Sequence, residues 1–160
     1  MTPLLRGRIA ALLFSVLLAT AGTSSGQTGD KYTARLGMVP AANAAQQASV
    51  VGKGTATATL AGTRLTVNGS FEGLPASATA ARLHQGISKG ARGKAIADLT
   101  ITKAASGTIS GIVNLTPEQV EALKVGKIYL QVHSERGIPV EQGKVQPEVD
   151  NSNLWGWFLR

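Results

Sequence analysis

From Lys31 onward, apolar residues recur at every second position over short runs, and each run is cut by glycine, proline or a small polar cluster. This feature constrains the fold most. A period of two places alternate side chains on opposite faces of a strand, so the chain must build thin, two-faced strands and not long amphipathic helices. Arg64 to Phe71 shows it clearly: Leu65, Val67, Gly69 and Phe71 share one face, and Thr66, Asn68 and Ser70 the other. Lys31 to Met38 repeats the pattern with Tyr32, Ala34, Leu36 and Met38. Gly54 to Leu60 precedes the hairpin signal Ala61-Gly62-Thr63. Further strands are predicted at Thr79 to Gln85, Lys94 to Ile101 (Ile96 and Leu99 inward), Thr108 to Leu115, Lys127 to His133 (Ile128, Leu130 and Val132 inward) and Val140 to Gln146. Val39 to Gln47 and Ser134 to Pro139 read as loop and turn.

One helix is predicted, over 116–124. Thr116 can cap it, Pro117 fits its first position, Glu118 complements its dipole, and Gly126 lies just past its end. It is too short to be more than a connector. The expected fold is therefore all-β: a Greek-key-like antiparallel sandwich or barrel of about eight to nine short strands.

The first 21 residues read as an address. Arg6 and Arg8 precede an apolar run, Ile9 to Leu18, which ends at the small-x-small triplet Ala19-Thr20-Ala21. That run is too short to cross a bilayer and has the layout of a secretory signal peptide. Residues 22–30 form a Gly/Ser/Thr-rich leader, and 31–160 a single domain. The expected location is periplasmic or secreted, in a bacterial host, with no transmembrane span after cleavage. Losing Arg6 and Arg8 lowers the formal charge of +7 by two. The remaining cations are scattered, with Lys89, Arg92 and Lys94 the densest group. No aromatic lies between Phe71 and Tyr129, so a nucleic-acid stripe is not expected. Attraction to an anionic lipid or polysaccharide surface is the more fitting use of such charge.

Four motifs resemble, in order, those of the CHRD domain, named after the animal protein chordin. They are Phe71-Glu72-Gly73-Leu74; Ala81-Arg82-Leu83-His84-Gln85-Gly86; Gly107 to Leu115, running into Leu115-Thr116-Pro117-Glu118-Gln119; and Gly126 to His133. The chain departs from the family pattern at Arg82, where the family carries a histidine. It departs again at Val140 to Lys144, which keeps the glycine and loses the arginine. The resemblance implies a secreted β-sandwich-like domain used for binding or structure. In chordin the domain belongs to an inhibitor of extracellular growth factors.

Little in the sequence points to catalysis. With no cysteine, thiol nucleophiles, disulfides and iron–sulfur clusters are excluded. No G-x-S-x-G, P-loop or dinucleotide fingerprint occurs, and nine acids scattered over loops offer no paired carboxylates. No cofactor and no enzymatic activity are expected. The two histidines are the candidate exception: His84 and His133 each end a strand on its polar face. If those strands are neighbours, the imidazoles with Glu135 or Glu141 suit zinc or copper. A superoxide-handling centre like that of the copper/zinc dismutases needs more histidines than two. The alternative for each is a hydrogen bond to a loop carbonyl that fixes a turn.

The tail Leu154 to Leu159 holds Trp155, Trp157 and Phe158. As a strand it would put both tryptophans on one face and Leu154 with Phe158 on the other. These aromatics either cover the core or dock a partner, an extracytoplasmic protein or polysaccharide, for adhesion or assembly.

Overall fold

A computed structural model describes residues 29–139 and 151–160. Its strands are β1 (Asp30–Met38), β2 (Lys53–Ala61), β3 (Arg64–Glu72), β4 (Ala78–Gly86), β5 (Gly93–Ile101), β6 (Gly107–Asn114), β7 (Ile128–Pro139) and β8 (Asn151–Trp157). Two short helices accompany them, α1 (Ala44–Ser49) and α2 (Pro117–Lys124). The eight strands close in the order β1-β2-β3-β6-β5-β4-β7-β8, every pair antiparallel. Strands β4, β5 and β6 follow one another as neighbours, and β7 returns beside β4. That is a Greek key.

The closure also explains why sandwich and barrel were both legible. The β5–β6 seam has two paired positions, Thr100 with Ser110 and Ile101 with Ile109. The β1–β8 seam has Gly37 with Trp155 and Met38 with Leu154, plus a bridge from Thr33 to Leu159. Two well-paired four-stranded halves thus meet along two narrow joins.

Inward residues fill the barrel in the predicted alternation. Tyr32, Ala34, Leu36, Leu65, Val67, Phe71, Leu83, Ile109, Ile128, Leu130, Val132, Leu154 and Phe158 form one core with Leu123 of α2. Burying side chains of this size is worth about 1.5–3 kcal/mol each, before conformational entropy is subtracted. Ile96 and Leu99 both reach the core although three residues apart, because β5 bulges. Leu83 pairs with Ala97 and His84 with Ala95, so Ile96 is the extra residue. Helix α2 is capped by Thr116 as expected, in a full capping box that Gln119 completes, and Gly126 past its end takes φ +71°.

Three local expectations change, and one polar stretch is buried. The loop predicted at 39–47 runs into α1, which continues to Ser49 and whose Asn43 side chain caps the amide of Gln46 at 2.9 Å. Met38, predicted inward, is half exposed at the end of β1, although its partner across the β1–β8 seam is the core residue Leu154. The turn predicted at Ser134 is strand: β7 continues, irregularly, until Ile138 and Pro139 pair with Ser152 and Asn151. The polar stretch Ser152-Asn153 is fully buried, because its side chains have partners on β7 and at the end of α1. The signal segment 1–21 and the strand predicted at Val140 to Gln146 lie outside the described residues. Among the described residues no helix is long and apolar enough to cross a membrane.

Candidate functional site

The polar face of β7 carries Tyr129, Gln131 and His133, which alternate with the core residues Ile128, Leu130 and Val132. Registry fixes their neighbours. Tyr129 is paired with His84 of β4 on one side and Trp157 of β8 on the other, and Gln131 is paired with Trp155. Directly opposed side chains in an antiparallel pair lie on the same face, so these residues gather on the outer wall of the barrel. There Tyr129 stacks on His84 with ring centres 5.0 Å apart and planes 18° apart. On its other side it meets Trp157 at 4.9 Å and, edge-on, Trp155 at 6.1 Å. The two indoles stand 4.5 Å apart and tilted by 68°. The Arg92 guanidinium, from the β4–β5 loop, sits 5.5 Å above the Trp155 ring, a cation–π geometry.

Gly93 ties the loop to this wall. Its carbonyl accepts a hydrogen bond from His84 Nδ1 at 3.1 Å, and its N–H donates to the Tyr129 hydroxyl at 3.1 Å. A carbonyl only accepts, so Nδ1 carries the proton, and in the neutral ring Nε2 holds the lone pair. No other residue fits at 93: a Cβ there would stand 1.8 Å from the Gln85 carbonyl oxygen. Burial pushes the Tyr129 phenol above its ordinary value, opposed in part by the Gly93 amide and by Arg92. Beside this cluster lies a buried polar row. Gln131 donates to Ser152, and Ser134 donates to Asn153 Oδ1 at 2.8 Å. Asn153 in turn donates to the Ser49 carbonyl at 3.4 Å, which holds the end of α1 against β8.

The structure brings the two histidines together. Their ring centres are 6.4 Å apart and both rings are buried. The other proposed ligands do not join them. Glu135 is exposed on the far stretch of β7, and Glu141 lies outside the described residues. Among the described residues no group of three His, Cys, Asp or Glu is placed to hold a metal ion. The turn-fixing alternative holds for His84 through Gly93. Trp155 and Trp157 lie half-buried on the outer wall, as the two-faced reading of the tail required. Phe158 does not join them: it is fully buried in the core and offers no surface to a partner.

Sequence reasoning missed Tyr129, Arg92 and Gly93 as members of this cluster. The signal for Tyr129 was present, since it shares the period-two face of His133. Arg92 sits in a Gly/Lys/Arg loop that resembles any solvated basic turn.

The family model described as the CHRD domain matches residues 33–138, about two thirds of the chain. No curated protein and no solved structure matches the chain.

Proposed function

Since the chain belongs to the CHRD-domain family, we propose that it is a non-enzymatic binding module working outside the cytoplasm, and that it engages its partner through the outer wall of β7 and β8. The observation that carries this reading is the Trp155–Trp157 pair. Two half-buried indoles, 4.5 Å apart, are fixed on a strand paired on both sides and backed by Tyr129. Rings held this way give a large contact area with little side-chain entropy left to lose, which is why tryptophan and tyrosine dominate binding hot spots. The basic, apolar and small-residue order of residues 6–21 supports export.

The experiment is retention on insoluble envelope polymers. The purified protein is co-sedimented with peptidoglycan and, separately, with chitin, beside Trp155→Ala and Trp157→Ala. Retention on at least one polymer, reduced tenfold or more in either variant with circular dichroism unchanged, is the expected result. No retention, or retention indifferent to both tryptophans, overturns the reading.

A second reading, a zinc- or copper-binding protein or a superoxide-handling enzyme, rests on the meeting of His84 and His133. With metal–nitrogen bonds near 2.0–2.1 Å, a shared ion would hold the two ring centres roughly 5 Å apart, so the rings would have to close by about 1 Å. His84 resists that closure through its stack on Tyr129 and its bond to Gly93. This reading requires one zinc or copper ion per chain in a titration, with uptake lost in both His84→Ala and His133→Ala. Absence of uptake removes it.

A further inference from the structure

We infer that the ligand of this wall is a carboxylate-bearing polysaccharide, bound across the outer face from β8 over β1 to β2 and β3; the inference rests on the binding-module reading and names its ligand class. The starting observation is a gap. Gly37 is paired with Trp155 across the β1–β8 seam, and an added Cβ at Gly37 would meet nothing within 4 Å. The indole of Trp155 packs on Val39, Val50 and Ile138, but the space directly over Gly37 beside it is open.

Beyond Gly37 the same face opens into a cleft of about 460 Å³, lined among others by Arg35, Gly37, Lys53, Thr55, Ser70 and Glu72. Registry makes these neighbours in rows: Arg35 with Thr55, Thr55 with Ser70, and Lys53 with Glu72. The four strands span roughly 14 Å at about 4.8 Å per step. Along that span a ligand passes Arg92 over Trp155, then the open backbone at Gly37, then the hydroxyls of Thr55 and Ser70 between Arg35 and Lys53.

Each part matches one feature of an acidic sugar chain. Ring faces cover the apolar C–H faces of the sugar, hydroxyls exchange hydrogen bonds with hydroxyls, and guanidinium and ammonium groups take carboxylates. Lys53 forms an exposed ion pair with Glu72, at 3.2 Å, which is weak enough to be exchanged. Against the single carboxylate of Glu72 stand three cations, Arg35, Lys53 and Arg92, so the path carries net positive charge.

Other occupants fit less well. A peptide adding as a strand needs a free sheet edge, and along this path β8, β1, β2 and β3 are already paired to one another. A lipid surface needs clustered apolar side chains, whereas the three most exposed large ones, Ile87, Ile112 and Val125, lie on separate elements.

Tryptophan fluorescence tests this, with polygalacturonate as probe beside dextran, poly-L-glutamate and phosphatidylglycerol vesicles. Polygalacturonate alone should shift the emission, and the affinity should drop at least tenfold in Gly37→Leu. That variant adds a side chain into open space and should fold unchanged. A similar drop is expected in Arg35→Gln/Lys53→Gln, and binding of the parent protein should weaken as salt screens the charges. Equal binding of dextran would overturn the acidic assignment while leaving a tryptophan-dependent binding module. Equal binding of poly-L-glutamate or vesicles would overturn the polysaccharide assignment. Binding indifferent to Gly37→Leu would overturn the path, and no response to polygalacturonate would overturn the inference outright.

Discussion

His84 and Tyr129 face each other across the β4–β7 pairing with ring centres 5.0 Å apart, and both hold Gly93, one at its carbonyl and one at its amide. The pair turns a Gly-rich loop into a fixed support for the wall and brings Arg92 over Trp155. Tyr129→Phe keeps the stack but strips the Gly93 amide of its acceptor. The expected cost is about 1–2 kcal/mol, read as a lower urea midpoint with an unchanged denaturant slope. Cation–π quenching of Trp155 by Arg92 should weaken in the same variant. A midpoint equal to that of the parent would show that the hydroxyl is not needed to hold the loop.

Gly93→Ala tests the same relationship from the backbone side. The new Cβ would stand 1.8 Å from the Gln85 carbonyl, which belongs to the paired strand and cannot swing away. The β4–β5 hairpin must open, so a loss on the order of 3 kcal/mol is expected, at the upper end of overpacking effects. Thermal melting checks it; a melting temperature within a few degrees of the parent would contradict the close approach.

Tyr129 also gives the protein an alkaline limit. Burial raises the pKa of its phenol in the folded state, and unfolding returns it to about 10. The folded state therefore holds its proton longer than the unfolded one. The associated stability is complete below the unfolded value and is lost as pH rises through the folded value. Phenolate absorbance in Tyr32→Phe, where Tyr129 is the remaining tyrosine, should titrate above pH 10 when folded and near 10 in denaturant. Coincident titrations would refute it.

The cap of α2 is worth measuring because the helix carries Leu123 into the core. Thr116 accepts from the Gln119 amide at 3.3 Å, and the Gln119 side chain accepts from the Thr116 amide at 2.9 Å. Thr116→Ala should lose about 1 kcal/mol and Thr116→Ser most of that less, by urea denaturation. Equal losses in the two variants would mean that the hydroxyl is not the stabilising group.

The inward face of nearly every strand was legible because alternation is a local signal. Leu65, Val67 and Phe71 announce their face whatever they pair with. What brings His84 to His133 is not local: β4 and β7 are neighbours only through the Greek-key return, with two strands and a helix between them in sequence. The burial of Tyr129, Gln131 and His133 was hidden for a related reason. Their face was correctly separated from the core, but local pattern cannot tell an outer wall covered by aromatic and polar neighbours from one facing water. The six residues of α1 carry no apolar stripe, so only the cap at Asn43 marked them. Gly37 was invisible in principle, because its contribution is the side chain it lacks.

The tail offers the sharpest separation of structural from surface roles, since adjacent residues point opposite ways. Phe158 is fully buried among the core side chains, and Phe158→Ala should cost about 3–5 kcal/mol through lost transfer energy and the cavity left behind. Trp157, one residue earlier, lies on the outer wall. Its indole N–H is buried and, among the described residues, has no hydrogen-bond partner. Trp157→Phe removes that unpaired donor while keeping a ring against Tyr129. The lost area and the relieved desolvation offset each other, and stability should stay within about 1 kcal/mol of the parent. Urea denaturation of the two variants side by side decides the matter. Similar losses at both positions would mean that the tryptophan wall is part of the core, and would leave the binding role of that wall without its surface.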